Sequence, residues 1–325
     1  MGKTIQITQK GRVLLARLHN PPHALMNDQM VLELAELVAR AESDDGIGVV
    51  VLTGTEPNVF LAHYDVSELL RAAKQAPSIA EPQAVRASRL TRGLGKLPAV
   101  RRFLRKSPLA GLLKLQRMHD VLLQMGRSGT IYVAAINGST AGGGLELCLA
   151  CDFRYIADDG ELAQPEVLLG FPPGAGGTQR LSRLIGRARA LELMLSGRIV
   201  GPEEAKSLGL VTDVFPHDQL MEKVMAAAEV LATRYKPAVS VIKRATLEGG
   251  SLPLEEGLLR EQSGFLAMLG TAGAKKAMQA YVSFTEQGGA IPAMDPKARE
   301  QLRAGTFAPF YHAAQDRLTV PNPLA

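Results

Sequence analysis

Short, uninterrupted apolar runs separated by stretches of helical periodicity dominate the first part of the chain. Val49–Gly54 (VVVLTG) is apolar almost throughout and ends on glycine, the pattern of a strand covered on both faces. Tyr132–Ile136 and Phe153–Ala157 read in the same way. Gly11–Leu18 (GRVLLARL) predicts an earlier strand, followed by the turn residues Asn20, Pro21 and Pro22. Asn27 can cap a helix to about Ala41, with Met30, Leu34, Leu37, Val38 and Ala41 along one face. Strand, helix and strand at this spacing predict an α/β core.

After Gly201 the texture turns helical. Pro202 stands in the first turn of a helix to Leu208. Asp218–Tyr235 carries Leu220, Val224, Ala227, Ala228 and Leu231 in a stripe. Further helices are predicted over Ala238–Leu247, Leu254–Leu269 and Ala272–Phe284, and the tail, 290–325, is expected to wrap on a surface. The reading divides the chain into an α/β part, residues 1–200, and a helical part, residues 201–325.

Composition changes this picture little: 46% hydrophobic and 21% charged residues in a chain of 325 describe an ordinary globular protein. No apolar stretch approaches the roughly 18 residues of a membrane span, and the start of the chain lacks the pattern of a secretory signal. Cys148 and Cys151 form a single C-x-x-C with no second ligand pair, so they are expected as small buried residues, with no metal site and a reducing, cytoplasmic setting.

Charge adds a sharper feature. The net charge is +5. Between Leu69 and Gly129, thirteen basic residues (Arg71, Lys74, Arg86, Arg89, Arg92, Lys96, Arg101, Arg102, Arg105, Lys106, Lys114, Arg117, Arg127) face only Glu81 and Asp120. Such a stretch raises the prospect of RNA or a membrane surface as partner. Phe103 is its one aromatic residue, which leaves little for base stacking and weighs against nucleic acid.

The most informative segment is AAINGSTAGGGLEL, Ala134–Leu147. A buried strand leads to a turn, then to Gly142, Gly143 and Gly144, then to an apolar helix, Leu145–Ala150. Glycines at a helix start leave N–H groups bare and allow a ligand to approach closely. Such groups can stabilise a developing oxyanion. Glu146, about one turn from Gly143, can stand beside whatever they hold. A plain packing role for the glycines, with Glu146 as a favourable first-turn acid, is equally compatible with this segment taken alone. The run fits neither the G-x-G-x-x-G fingerprint nor a G-x-x-x-x-G-K-[ST] phosphate loop.

With QPEVLLGFPPGAGGTQRL, Gln164–Leu181, the chain resembles the crotonase superfamily, also called the enoyl-CoA hydratase/isomerase family. NGSTAGGGLELCLACD, SGRIVGPEEAKSLGLVTDV and HNPPHALMN extend the resemblance over most of residues 5–290. The resemblance implies an α/β spiral of ββα units with a helical C-terminal trimerisation region, forming homotrimers or dimers of trimers. It implies an acyl-CoA thioester as substrate, with CoA part of that substrate and no separate cofactor. The thioester oxygen would be held by the backbone N–H groups of Tyr64 and Gly143, with Ala62, His63, Asp65, Gly142 and Gly174 also at the substrate. Glu146 would activate water and Glu166 would protonate C2, adding water across the 2,3 double bond.

Two departures stand out. FLAHYD (Phe60–Asp65) carries His63 and Tyr64 where relatives carry small residues; both rings are expected to point away and pack. The segment of about 70–128 is longer than in relatives, with helical periodicity over Pro108–Met125 (Leu112, Leu115, Leu122). Its expected role is a helical lid over the acyl chain, its basic face toward CoA phosphates or a neighbouring subunit. Isomerisation of a double bond, or another crotonase-type reaction of an acyl-CoA ester, is the alternative enzyme activity. An RNA- or membrane-surface-binding protein on the same scaffold is the alternative of another class.

Overall fold

The computed structural model describes residues 4–75, 78–94, 102, 104, 107, 109–288 and 290–311. Its frame is a six-stranded sheet in the order β1-β2-β3-β5-β7-β9. β1 (Ile5–Lys10) and β2 (Val13–Leu18) are antiparallel; β3 (Val49–Gly54), β5 (Ile131–Ile136), β7 (Phe153–Ala157) and β9 (Asp213–Phe215) follow in parallel. The strand expected from Gly11 therefore starts at Val13, because Gly11 and Arg12 form the turn back from β1. β1 escaped the pattern because it is an edge strand in which only Ile5 is buried.

Each of β3, β5 and β7 is followed by a short strand: β4 (Asn58–Leu61), β6 (Gly138–Ala141) and β8 (Leu162–Ala163). These pair in parallel as a second sheet, β4-β6-β8, so the chain climbs as a spiral with one strand of every turn in each sheet. Asn137 ties adjacent turns together. Its Oδ1 accepts from Gly54 N–H at 2.8 Å and its Nδ2 donates to Glu56 O at 3.0 Å. At Gly138 the turns approach so closely that a Cβ would lie 1.9 Å from the Asn58 carbonyl carbon.

The continuous apolar runs are explained by two cores, one on each face of the large sheet. Leu14, Val50, Leu52, Tyr132 and Ile136 face one core beneath α1 (Asp28–Ser43). Val13, Val49, Val51, Ile131 and Val133 face the other, closed by Leu220, Val224 and Ala228. Asn27 caps α1 as expected, its Oδ1 accepting from Met30 N–H at 2.9 Å.

The long segment after β4 contains α2 (Val66–Gln75), α3 (Glu81–Leu94) and α4 (Ala110–Arg127). α3 docks on α4 through a buried bond from Gln116 Nε2 to Thr91 Oγ1, 2.8 Å. Lys96, Arg101, Phe103, Arg105 and Lys106 lie outside the described residues. Several other basic residues are paired: Arg127 with Glu248 at 2.7 Å, and Lys114 with Asp28. Next come α5 (Gly143–Ala150), a 3₁₀ turn (Glu166–Leu169), α6 (Gly177–Ile185), α7 (Arg187–Ser196) and α8 (Pro202–Ser207).

The C-terminal part supplies α9 (Leu220–Leu231), α10 (Lys236–Arg244), α11 (Leu254–Leu269), α12 (Ala272–Gly288) and α13 (Pro296–Ala304). The helix expected over Ala238–Leu247 starts earlier and passes into a π turn, Ala245–Gly249. α11 and α12 bury none of their side chains, and Leu254, Leu258, Leu259, Phe265, Leu266 and Val282 are exposed on them. Of the tail expected on the surface, residues 290–311 lie against it, and 312–325 lie outside the described residues. Tyr311 accepts from Lys236 N–H at 2.9 Å and lies under the Arg12 guanidinium. Cys148 and Cys151 are buried and unpaired. Among the described residues, no helix is long and apolar enough to cross a membrane.

One buried ion pair links the two parts of the chain. Lys243 Nζ bonds Asp152 Oδ2 at 2.8 Å, Met125 O at 2.7 Å and Thr130 O at 2.7 Å, while Asp152 also accepts from Tyr132 N–H. Lys243→Met removes the cation and strands a mostly buried carboxylate. A loss of about 3–5 kcal/mol in urea denaturation is expected; a loss below about 1 kcal/mol would show that the pair behaves as an exposed one.

Candidate active site

The site forms where α5 begins. β6 ends at Ala141; Gly142, whose φ of 50° lies in the left-handed region, follows, and Gly143 opens the helix. Gly144 can carry no side chain, since a Cβ would meet Thr140 Oγ1 at 2.4 Å and Leu61 O at 2.7 Å. The helix start is thereby pressed against the loop after β4. A Cβ on Gly143 would sit 3.5 Å from the Tyr64 nitrogen. Other groups of that loop are already engaged: Ala62 N–H donates to Ala24 O at 3.0 Å, and Asp65 N–H to Met26 O at 2.7 Å. Among the described residues, neither Tyr64 N–H nor Gly143 N–H has a protein acceptor. Two bare donors stand side by side, with the N-terminus of α5 behind one of them.

Two carboxyls face them. Glu146, in the first turn of α5, is 2% exposed, and its Oε1 accepts from Ala175 N–H and Gly177 N–H, both at 2.7 Å. Glu166 opens the 3₁₀ turn after Pro165; its Oε1 accepts from Gln164 Nε2 at 2.7 Å. Its other oxygen, Oε2, is buried without a protein partner among the described residues. Buried acceptors of this kind are uncommon away from functional sites.

Burial dominates the electrostatics. It pushes the Glu146 carboxyl from an ordinary 4.5 up to about 7; the two N–H bonds oppose the shift and the charge of Glu166 adds to it. Burial also raises the Glu166 carboxyl, against the Gln164 bond and the nearby His63. Two neighbouring carboxyls whose ionisation is discouraged can hold and exchange protons near neutral pH.

A cavity of about 480 Å³ joins these groups. Glu146, Glu166, Tyr64, Gly143, His63, Gly142 and Gly174 all line it. Its remaining wall is largely apolar, with Leu69 and Ala72 from α2, Leu115 and Met118 from α4, and Leu168 and Phe171 beyond the glutamate. The long segment thus borders the cavity through α2 and α4, while α3 packs behind α4. A second cavity, about 420 Å³ and lined by Glu42, Arg92, Asp120 and Arg127, shares no residue with the first.

Two expectations need correction. Ala62 does not line the cavity, because its backbone is spent on Ala24 and Ala141. Asp65 does not line it either: its carboxylate accepts from Ser67 N–H at 2.8 Å and starts α2. His63 and Tyr64 both border the cavity, and the Tyr64 side chain packs against the large core. Tyr64 Oη donates to Glu68 Oε2 at 3.0 Å, and His63 Nδ1 donates to the Tyr64 carbonyl at 2.8 Å. Sequence reasoning also missed Gln164, which sits inside a recognised motif, and the donors at Ala175 and Gly177, which are backbone atoms without a residue signature. Among the described residues, no three His, Cys, Asp or Glu side chains converge as a metal site.

Known proteins share this architecture. The sequence model of the enoyl-CoA hydratase/isomerase family matches residues 8–91 and 113–287, leaving out the part of the long segment between α3 and the start of α4. The mitochondrial enoyl-CoA hydratase of Pongo abelii is 30% identical over 265 residues, 81% of this chain and 79% of that protein. Among solved structures, the enoyl-CoA hydratase of Bacillus anthracis superposes with a TM-score of 0.69 at 29% identity, covering 87% of this chain and 96% of that one. A Thermobifida fusca protein solved in complex with CoA gives a TM-score of 0.65 at 25% identity, covering 82% and 93%.

The raised Glu146 carboxyl has a thermodynamic signature. Its folded-state value lies above the unfolded one, so the neutral acid favours folding and that contribution is lost as pH rises from about 4.5 to about 7. Glu146→Gln keeps an acceptor for Ala175 and Gly177 but cannot ionise. It should therefore gain stability relative to the parent as pH rises through that window, by up to about 3 kcal/mol above pH 7. Thermal denaturation between pH 4.5 and 8.5 measures this; a pH-independent difference would place the carboxyl at its ordinary value.

Proposed function

The chain belongs to the enoyl-CoA hydratase/isomerase family, and we propose that it adds water across the 2,3 double bond of a 2-enoyl-CoA thioester. One observation carries this reading: two buried carboxyls, Glu146 and Glu166, line the same cavity as the unpaired N–H groups of Tyr64 and Gly143. Hydration needs both halves of that arrangement, whereas a double-bond shift needs a single base.

In the proposed reaction the thioester oxygen accepts from Tyr64 and Gly143, which polarises the C2=C3 bond. Water attacks C3 and gives a proton to Glu146 as the C3–O bond forms. The π electrons move toward the thioester oxygen as an enolate, stabilised by the two donors. Each donor of this type contributes about 2.7–4 kcal/mol to the barrier. Glu166, oriented by Gln164, delivers a proton to C2, and the carbonyl is restored. The reaction asks for Glu146 as the ionised partner and Glu166 as the protonated one; burial raises both carboxyls, Glu146 to about 7, so the two share protons as a coupled pair. The chemistry requires no further cofactor.

The apolar face of α11 and α12 supports self-association as well, and we take a homotrimer as the working assembly. Sedimentation equilibrium should give the mass of three chains, and a monomer at micromolar concentration would overturn this.

To test the reaction, the protein is incubated with 2-enoyl-CoA and 3-enoyl-CoA esters of several lengths while the conjugated thioester absorbance is followed. Loss of absorbance with the 2-enoyl esters is expected. Glu146→Ala and Glu166→Ala should each lower kcat by about 10²–10⁴-fold, the usual contribution of a positioned acid or base. Hydration that survives both substitutions would overturn the mechanism, and conversion of 3-enoyl esters alone would identify an isomerase.

A further inference from the structure

We propose that His119 is a positioning residue for Glu146, acting through the peptide group between Gly174 and Ala175. His119 stands on α4, in the long segment, and its Nε2 lies 2.6 Å from the Gly174 carbonyl oxygen. A carbonyl oxygen only accepts, so Nε2 carries the proton. The N–H of the same peptide group belongs to Ala175 and donates to Glu146 Oε1 at 2.7 Å. One planar amide is therefore held at both ends, by the imidazole on its oxygen and by the carboxyl on its nitrogen. A donor on the oxygen draws density from the nitrogen and strengthens the N–H as a donor, the cooperative effect of a hydrogen-bond chain. It also fixes the plane of the amide, and with it the position of the carboxyl.

The next peptide is held from the other side. Arg180 Nη1 donates to the Ala175 carbonyl at 3.0 Å, and Gly177 N–H gives Glu146 its second bond. The loop 174–177 is thus suspended between α4 and α6. The other charged groups acting on the Glu146 carboxyl are Glu166, from the 3₁₀ turn, and Arg180. α4 also supplies Leu115 and Met118 to the cavity wall. The helix that borders the acyl pocket is therefore the one that sets the peptide beneath the water-handling carboxyl.

The inference rests on Glu146 acting as the base, and two measurements separate its failure from the failure of that reading. The first is kinetic. His119→Phe should lower kcat about three- to tenfold, the factor of one hydrogen bond of ordinary net strength, with KM within about twofold. The acid limb of the kcat profile should move up by about half a pH unit, because the carboxyl loses part of its support. His119→Gln, which keeps an N–H donor, should restore both. The second measurement needs no turnover. The stability difference between the parent and Glu146→Gln changes with pH up to the folded-state value of the carboxyl, then levels off. That break should move upward by a similar amount in a His119→Phe background and return in His119→Gln. An unmoved break, or equal behaviour of the Phe and Gln variants, would overturn the proposal. A moved break with unaltered catalysis would uphold the positioning of Glu146 and overturn its assignment as the base.

Discussion

The site depends on a contact between two stretches of backbone at a place where side chains have been removed. The start of α5 reaches the loop after β4 because Gly144 has no Cβ to strike Leu61 and Thr140, and because Gly142 turns through a left-handed conformation. With any side chain at Gly144 the two segments would part, and Tyr64 N–H would leave Gly143 N–H. The spiral makes this contact reproducible, since β4 and β6 are parallel neighbours and their C-terminal ends lie together. Each of these short strands follows directly from a strand of the large sheet, which is covered on both faces, and that anchorage holds the two donors in register.

The second constraint is the burial of two acids. Removing a carboxyl from water without an opposite charge is costly, and here hydrogen bonds offset the cost only in part. Glu146 receives two backbone N–H groups and Glu166 one side-chain amide, yet both remain harder to ionise than usual because burial exceeds these gains. Stability is given up locally for groups able to exchange protons near neutral pH. The large double-faced core, with the Asp152–Lys243 pair joining its two parts, sustains that local loss.

Much of this was legible in the residues. β3 and β5 read as double-faced strands because nearly every side chain of each is apolar, and both cores exist. The glycine triplet followed by Glu146 announced a helix start with an acid beside it, though spacing alone left a packing role open. Glu166 entered only through the family resemblance, because one acid after a proline carries no periodic signal. The short strands β4, β6 and β8 were not legible; GSTA and LA have neither length nor alternation, and they exist by pairing with one another across the spiral. Asp65 was misread for a related reason. A carboxylate that caps a helix and one that meets a ligand look the same until the next turn of chain is placed. His119 had no signal at all, since its partner is a carbonyl 55 residues further along.

Tyr64 shows how a departure from a family pattern can leave the chemistry standing while reshaping its surroundings. The donor left bare at Tyr64 is its backbone N–H, which does not depend on the side chain. The ring, however, must go somewhere, and it packs against the large core beside the cavity with its hydroxyl on Glu68. Glu68 Oε2 also accepts from Asp28 N–H at 3.0 Å, and the Asp28 carboxylate pairs with Lys114 of α4. The phenol is thus the first member of a polar chain running from the oxyanion loop through α2 and α1 to the long segment. In a relative with a small residue at this position that chain would have no beginning. The phenol and the nearby ion pair belong to one arrangement, in which Glu68, Asp28 and Lys114 interrupt an otherwise apolar wall.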